Sequence, residues 1–571
     1  MFNAILSAAL LMVSAAPCFT NNHVKVTSQD DFDNLGTTIM RQLSQGECEI
    51  KVSLAPGIYF YDDNHIDLSG KRYPNASIKI EGQGATLIAK GKQHPAGAVD
   101  DCMPSHGFVT LSGENMELWD DALVADGLVE IVSENEKICR LRSDRYGNGK
   151  AGDGMYIQLT QWYLSGIYPI VKMERGYVYF TATNLKKGYG GGWNVNNDYQ
   201  FGKKLPRYRV FGSKDAKESF YECMATRFLV LGYGTELKSV VVDGLRFCGN
   251  ARDGEKPVIA CLSPCCQVNI TRCEFVGMRS SRVISVGNVN KVTVEKCRFE
   301  NCYEYGVIAS HNSADTRVVN CIFSNMGLGW SNSFCVSCAG TNYYVAYNAF
   351  QDFGYGAIAL GFGYSNDKKN DISGVAEQNV LSFTPAYKTY ITQYGLMDGG
   401  AIYLSTQNDH SVIRYNTIDN YSGAYGNHGI FCDDGAYGFE IYGNIITHID
   451  NGRCIASRRD ASIESEKNPK SKVLKTNVNN VIRDNIMDGT YLFWGNEQQG
   501  NGCVKGTNYL ISAGGVAPKF EGGNFDVSAD DVVIQADVTE GGKVLVSKAV
   551  YNRLSQSNEW KMLKKNIKRK S

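Results

Sequence analysis

The chain has 571 residues, with 58 Lys and Arg against 59 Asp and Glu, for a net charge of −1. That balance offers no basic surface for a nucleic acid and no electrostatic anchor for a membrane. Its 60 Gly suit many tight turns, and its 33 Tyr suit both β structure and contact with flat sugar faces.

Residues 1–16 read as an export signal. Ala4 to Val13 is apolar, Ser14-Ala15-Ala16 are small, and the segment is too short to span a bilayer. Cys18 follows, but Pro17 makes it a poor bacterial lipidation site. The protein is therefore expected to be secreted, periplasmic or at the cell surface, with no membrane span.

Residues 17–114 read as an N-terminal cap and the first coils of a stack. Asp31 to Leu43 predicts a short helix that covers the stack's open end. Glu49-Ile50-Lys51-Val52 predicts a strand, as do the two halves of Ile78 to Ile88 on either side of a Gly turn. Residues 115–230 break this pattern and read as a small inserted β domain. Trp119, Trp162, Tyr163, Tyr168, Trp193 and Tyr199 cluster there, as the core of the insert or as one wall of a ligand cleft.

Residues 231–515 carry an internal repeat. A phrase of the form Val-x-x-Cys-x-Phe becomes Ile-x-x-Asn-x-Ile, placing Cys273, Cys297, Cys321, Asn348, Asn379, Asn416, Asn444 and Asn485 in one recurring place. The first three recur every 24 residues, and later gaps widen to between 27 and 41. A short unit rich in β-branched and aromatic residues, punctuated by Gly, Asn and Asp, is one coil of a solenoid. The fold class is all-β: a right-handed parallel β-helix with an inserted small β domain. The alternation of Cys with Asn predicts a stacked column of small side chains lining a turn, so most of the 18 cysteines are expected as buried thiols. Cys335 and Cys338 sit on one strand, where their thiols alternate faces, which argues against a redox or zinc pair. No metal site is expected, since there is no His-Glu-x-x-His and Gly188 to Gly192 lacks the Lys of a phosphate loop. Residues 516–571 read as a tail with one β stretch, an amphipathic helix from Lys548 to Lys564, and a solvated basic end.

Each coil carries a further strand about ten residues past the Cys or Asn. Aligned on a central residue, these strands place Ile284, Ile308, Cys335, Ile358, Ile402, Ile430, Ile455 and Leu492 in one inward column. Three residues beyond, an outward column reads Gly287, His311, Cys338, Gly361, Ser405, Asp433, Arg458 and Gly495. Asp434 and Arg459 follow it. Before the strands, Asp398-Gly399-Gly400, Asn427-His428 and Gly452-Arg453 fall on adjacent coils. Coils stack about 4.8 Å apart. Carboxylates on neighbouring coils then reach the roughly 5–9.5 Å separations that glycoside hydrolysis uses. The Gly flanks are expected to let a sugar ring approach the backbone. A structural reading competes: Asp433 with Arg458 and Asp434 with Arg459 would be cross-strand ion pairs.

The opening coils resemble those of pectin-lyase-like proteins. The segment Asp398-Gly-Gly-Ala-Ile-Tyr403 through His428-Gly-Ile-Phe-Cys-Asp433-Asp434-Gly-Ala436 resembles β-helical glycoside hydrolases, most nearly glycoside hydrolase family 141, which includes α-L-fucosidases and xylanases. The resemblance implies two catalytic aspartates on neighbouring coils, matched here by Asp398 and one of Asp433 and Asp434. The expected function is hydrolysis of a plant or host polysaccharide or oligosaccharide without a cofactor. His428, Arg453, Arg458, His311 and Tyr403 are candidate substrate contacts. Two rivals stand. A polysaccharide lyase would use Arg458 or His428 with calcium on Asp433 and Asp434. A non-catalytic β-helix would bind glycans or serve as a structural surface protein.

Overall fold

The computed structural model describes residues 19–569 apart from 100, 152–153, 162–163, 183–205, 213–215, 253–255, 264–266, 289–290, 311, 330–332, 362–371, 395–397, 406, 424–425, 434–435, 459–479, 490, 495–503, 512–531, 535, 540–541 and 557–565. The expected leader, together with Trp162, Tyr163, Trp193 and Tyr199, lies outside the described residues.

The chain winds as a parallel β-helix. Three long sheets run its length, with 13, 13 and 11 strands among the described residues. One coil shows the plan: Lys291–Glu295 in the first sheet, Arg298–Glu300 in the second and Tyr305–Ala309 in the third. Thr316–Val319 then returns to the first sheet and pairs in parallel with the strand it started from. Parallel strands need such long returns, and stacking makes each return a strand of the neighbouring sheet.

The corner between the first and second sheets explains the repeat. The residue before each Cys or Asn is left-handed: φ is 52° at Arg272, 55° at Lys296, 55° at Asn320, 60° at Tyr347, 53° at Gln378 and 57° at Tyr415. Backbone this unfavourable for a non-Gly residue persists only where the surroundings over-determine it. Here the next position supplies the constraint. Asn348 Nδ2 donates to Asn379 Oδ1 (3.0 Å), Asn379 to Asn416 (2.9 Å), Asn416 to Asn444 (3.0 Å), Asn444 to Asn485 (2.9 Å) and Asn485 to Asn508 (3.0 Å). Each Oδ1 also accepts the N–H of the previous coil's Asn, as Asn416 does from Asn379 (3.1 Å). In the earlier coils Cys273, Cys297 and Cys321 fill the same buried place, and their thiols turn to backbone carbonyls such as Ile270 O (3.4 Å from Cys297 Sγ). Two residues on, Phe247, Phe275, Phe299, Phe323 and Phe350 stack with centroids 4.6–5.0 Å apart. Thirteen described cysteines are buried thiols, while Cys48 is disulfide-bonded.

Two helices, Gln29–Asp33 and Leu35–Ser44, close the first coil. Ser28 and Asp31 form a reciprocal capping box, and Phe32, Leu35, Ile39 and Leu43 are buried against the stack. The chain leaves the helix after Ala85–Ala89. Gly91–His94, Phe220–Cys223 and Gly107–Thr110 make a three-stranded antiparallel sheet at the base of the excursion. Beyond it, seven strands between Leu123 and Phe211 form an antiparallel sheet with its own core of Leu141, Ile157, Leu159, Val178 and Phe180. Trp119 packs on Phe211 at 0% exposure and Tyr168 is buried beside Phe180, so both belong to the core of the insert and not to a cleft wall. The insert docks on the coils through Gln158 Nε2, which donates to Gly329 O (2.8 Å), and through Arg207 over the Tyr390 ring.

At the C-terminal end, Ala536–Val538, Val544–Val546 and Ile567–Arg569 form a small sheet, with the helix Lys548–Leu554 following its second strand. The expected solvated basic end is thus partly a strand, because Ile567 is buried in an apolar cluster with Val544 and Val546. Among the described residues no helix is long and apolar enough to cross a membrane.

Candidate functional site

The third sheet carries the predicted acids. Its strands Gly356–Leu360, Gly400–Leu404, His428–Cys432 and Ile455–Arg458 are consecutive neighbours. Ile358, Ile402, Ile430 and Ile455 stand in register, as expected. Elsewhere the expected alignment slips by one residue: Ile284 pairs with Val307, not Ile308, Ile358 with Val336, not Cys335, and Ile455 with Tyr491, not Leu492. The outward column therefore holds Ser310 and Ala339 where His311 and Cys338 were expected, and Trp494, not Gly495, pairs with Arg458. These strands are apolar at adjacent positions, so either of two registers satisfies the pattern and only pairing decides. His311 itself lies outside the described residues, as do Asp434 and Arg459.

Asp398 and Asp433 occupy different columns. Asp398 precedes Gly400–Leu404 in a left-handed corner (φ 62°), stacked with Gly426 (φ 65°) and Asn451 (φ 56°). Asp433 follows His428–Cys432, and its N–H donates to Leu404 O (2.9 Å). Two buried tyrosines connect them. The Tyr355 hydroxyl donates to the main-chain carbonyl of Asp398. The Tyr403 hydroxyl donates to Asp433 Oδ2 (2.5 Å). The two rings are 5.6 Å apart. Burial, then the charges of Asp398 and Asp433, push the Tyr355 hydroxyl well above its ordinary range. Tyr403 is raised as well, by burial first, with the charges of Tyr355, Asp433 and Asp398 adding to it. Both carboxylates thus act on one pair of phenols. Tyr403, expected as a sugar contact, is 3% exposed and is spent on Asp433, which is 2% exposed.

The glycines serve packing. A Cβ on Gly399 would stand 2.6 Å from Asn427 Oδ1 and 2.7 Å from Tyr355 O, and one on Gly400 would stand 2.8 Å from Phe431 Cβ. The expected approach of a sugar ring at these two positions is filled instead by neighbouring coils. Gly399 N donates to Asn427 Oδ1 (3.0 Å), which ties the Asp398 corner to the next coil.

His428 is 2% exposed, with its ring against Phe431. The Arg453 N–H donates to His428 Nδ1 (3.0 Å), so in the neutral ring Nε2 carries the proton and is a donor. Arg453 is half-buried, and its Nη1 donates to Gly452 O (2.8 Å). The register places Arg458 beside Asp433, since Cys432 pairs with Ser457. Tyr355 escaped the sequence reading. Tyr355 lies 43 residues before Asp398, and no local motif marks it.

No family profile matches the chain, and no curated protein is similar to it. Among solved structures it is similar to a glycoside hydrolase at 11% identity, with 85% of this chain and 96% of that chain covered and a TM-score of 0.48. It is also similar to a Pseudomonas phage tailspike, at 11% identity over 85% of this chain and 67% of that one, TM-score 0.17. The catalytic domain of a family 87 α-1,3-glucanase in complex with nigerose is similar at 10% identity over 73% of this chain and 95% of that one, TM-score 0.21. Overlaps this partial carry no inference about chemistry, which rests on the geometry of the site.

Proposed function

We propose that the protein hydrolyses a glycosidic bond in a plant or host polysaccharide or oligosaccharide, with Asp398 and Asp433 as its acidic pair and Asp434 as the neighbouring acid. The observation that supports this reading most is the tyrosine link: the Tyr355 hydroxyl donates to the Asp398 main-chain carbonyl, the Tyr403 hydroxyl donates to Asp433 Oδ2, and the two rings stand 5.6 Å apart. A hydrogen bond donated to a carboxylate favours its ionised form. Asp398 and Asp433 divide between them the parts of general acid and of base or nucleophile, with the Tyr403 hydroxyl orienting Asp433. Tyr403 is a positioning residue on this reading. Arg453 and Arg458 hold sugar hydroxyls or a uronate, and the buried His428 positions Arg453 through its main-chain N–H. Export from the cytoplasm belongs to the same reading.

The test is a screen of purified protein against fucosylated, xylose-based and pectic oligosaccharides, following reducing ends and ultraviolet absorbance together. New reducing ends without unsaturated products are expected. Asp398→Asn and Asp433→Asn should each lower kcat by about 10²–10⁴-fold with circular dichroism unchanged. Full turnover in both variants would remove the pair from the mechanism. Unsaturated products that disappear on chelation would assign a lyase instead, and sugar binding without turnover would leave a binding protein.

A further inference from the structure

A second cluster lies far along the chain from these aspartates, at the base of the insert. His94 ends the strand Gly91–His94, Glu222 sits in the strand Phe220–Cys223, and Cys102 and His106 lie on the segment that leads into Gly107–Thr110. His94 Nε2 is 2.7 Å from Glu222 Oε2, and Cys102 Sγ is 3.9 Å from His94 Nε2. The ligand atoms of His94, Cys102 and Glu222 all lie within 4.8 Å of one another. All three are buried, at 3%, 2% and 5% exposure. His106 Nδ1 and the Met103 N–H hold the other oxygen, Glu222 Oε1, at 2.8 and 2.7 Å.

The combination is unusual for a purely structural cluster. A buried carboxylate needs a compensating cation. The ion pairs on Glu222 are to His94 and His106 alone among the described residues. A thiol, an imidazole and a carboxylate converging on one point form a borderline-soft donor set, which suits zinc and does not suit calcium or magnesium. Tetrahedral zinc bonds of about 2.0–2.3 Å put ligand atoms roughly 3.3–3.6 Å apart. The 2.7 and 3.9 Å separations bracket that range, and the Cys102–Glu222 pair lies within 4.8 Å, so small side-chain shifts would bring the three donors onto one ion. One thiolate and one carboxylate also neutralise a divalent ion.

We propose that His94, Cys102 and Glu222 bind one zinc ion, with His106 orienting Glu222 from behind. The ion would join the loop 95–106 to the central strand of the three-stranded sheet and so fasten the insert to the coils. Phe108, Phe211, Phe220 and Trp119 pack in the apolar cluster that holds Cys102, and the three protein donors would leave the ion's fourth position to water.

The experiment uses the full chain stripped with chelator and then titrated with zinc or cobalt. One zinc per chain, a raised melting transition, and a thiolate-to-cobalt charge-transfer band are expected. Cys102→Ser should abolish the band, and Glu222→Gln should abolish stoichiometric binding. His106→Gln should weaken binding by about 10–100-fold. If a variant misfolds, the wild-type protein still decides: absence of both the cobalt band and bound zinc in the stripped and reloaded chain overturns the site. Stoichiometric binding that survives Cys102→Ser with its band intact also overturns it, by placing the metal on other cysteines.

Discussion

At the scale of single residues, the third sheet is organised by hydroxyls as much as by carboxylates. Tyr403 reaches Asp433, and Tyr355 reaches the Asp398 backbone. Replacing Tyr403 by Phe keeps the ring packing against Phe431, Phe334 and Tyr355 and removes one hydrogen bond to a charged group. Such bonds contribute about 1.5–3 kcal/mol. With a substrate in hand, Tyr403→Phe should lower kcat by about 10–100-fold at little changed KM. An unaltered kcat would show that the hydroxyl does not position Asp433. The aspartates were legible because Asp-Gly-Gly and Asp-Asp-Gly interrupt an apolar repeat. Tyr355 was not, because its role depends on a coil that is adjacent in space and distant in sequence.

At the scale of elements, the repeated corner decides the register of the stack. Asn416 makes four side-chain bonds there, to Asn379 N, Asn379 Nδ2, Ala376 O and Asn444 Oδ1. Asn416→Ala leaves buried backbone groups without partners, at about 1–3 kcal/mol each. The urea midpoint should fall accordingly, whereas Cys297→Ala, which removes a weaker sulfur donor, should cost less. Equal losses in the two variants would contradict the ladder's role. The position of the ladder was readable from the repeat itself, as Asn replacing Cys at a fixed place. The left-handed residue before it was not, because Arg272, Lys296 and Tyr347 carry no turn signal and are forced into that backbone by neighbouring coils. The third-sheet strands failed in the same way: Val307 and Ile308 are equally apolar, and sequence alone could not choose which one pairs with Ile284.

At the scale of the whole molecule, the open end of the solenoid gives stability a pH signature. His65 packs against Phe32 and Phe228, with centroids 4.2 and 5.9 Å away, and burial pulls its imidazole down from 6.5 to about 4. The unfolded chain then takes up a proton that the folded cap refuses. This contribution is fully present above about pH 6.5 and is lost as pH falls toward 4. His65→Phe should flatten that part of the stability profile, read as the difference in urea midpoint between about pH 7 and 4.5. A profile as steep as the wild type's would locate the acid sensitivity elsewhere.

The sequence by itself determined the solenoid, the Cys and Asn column at its corner and the two acidic phrases, because each is written as a local period or its interruption. Only the tertiary structure decided the strand registers beyond Ile358, Ile402, Ile430 and Ile455, the tyrosine link between Asp398 and Asp433, and the meeting of His94, Cys102 and Glu222. The physical reason is common to all three. A period fixes which residues repeat, but contacts between coils and across the insert join residues as distant as Gln158 and Gly329, 171 positions apart, and no local pattern encodes which of them will touch.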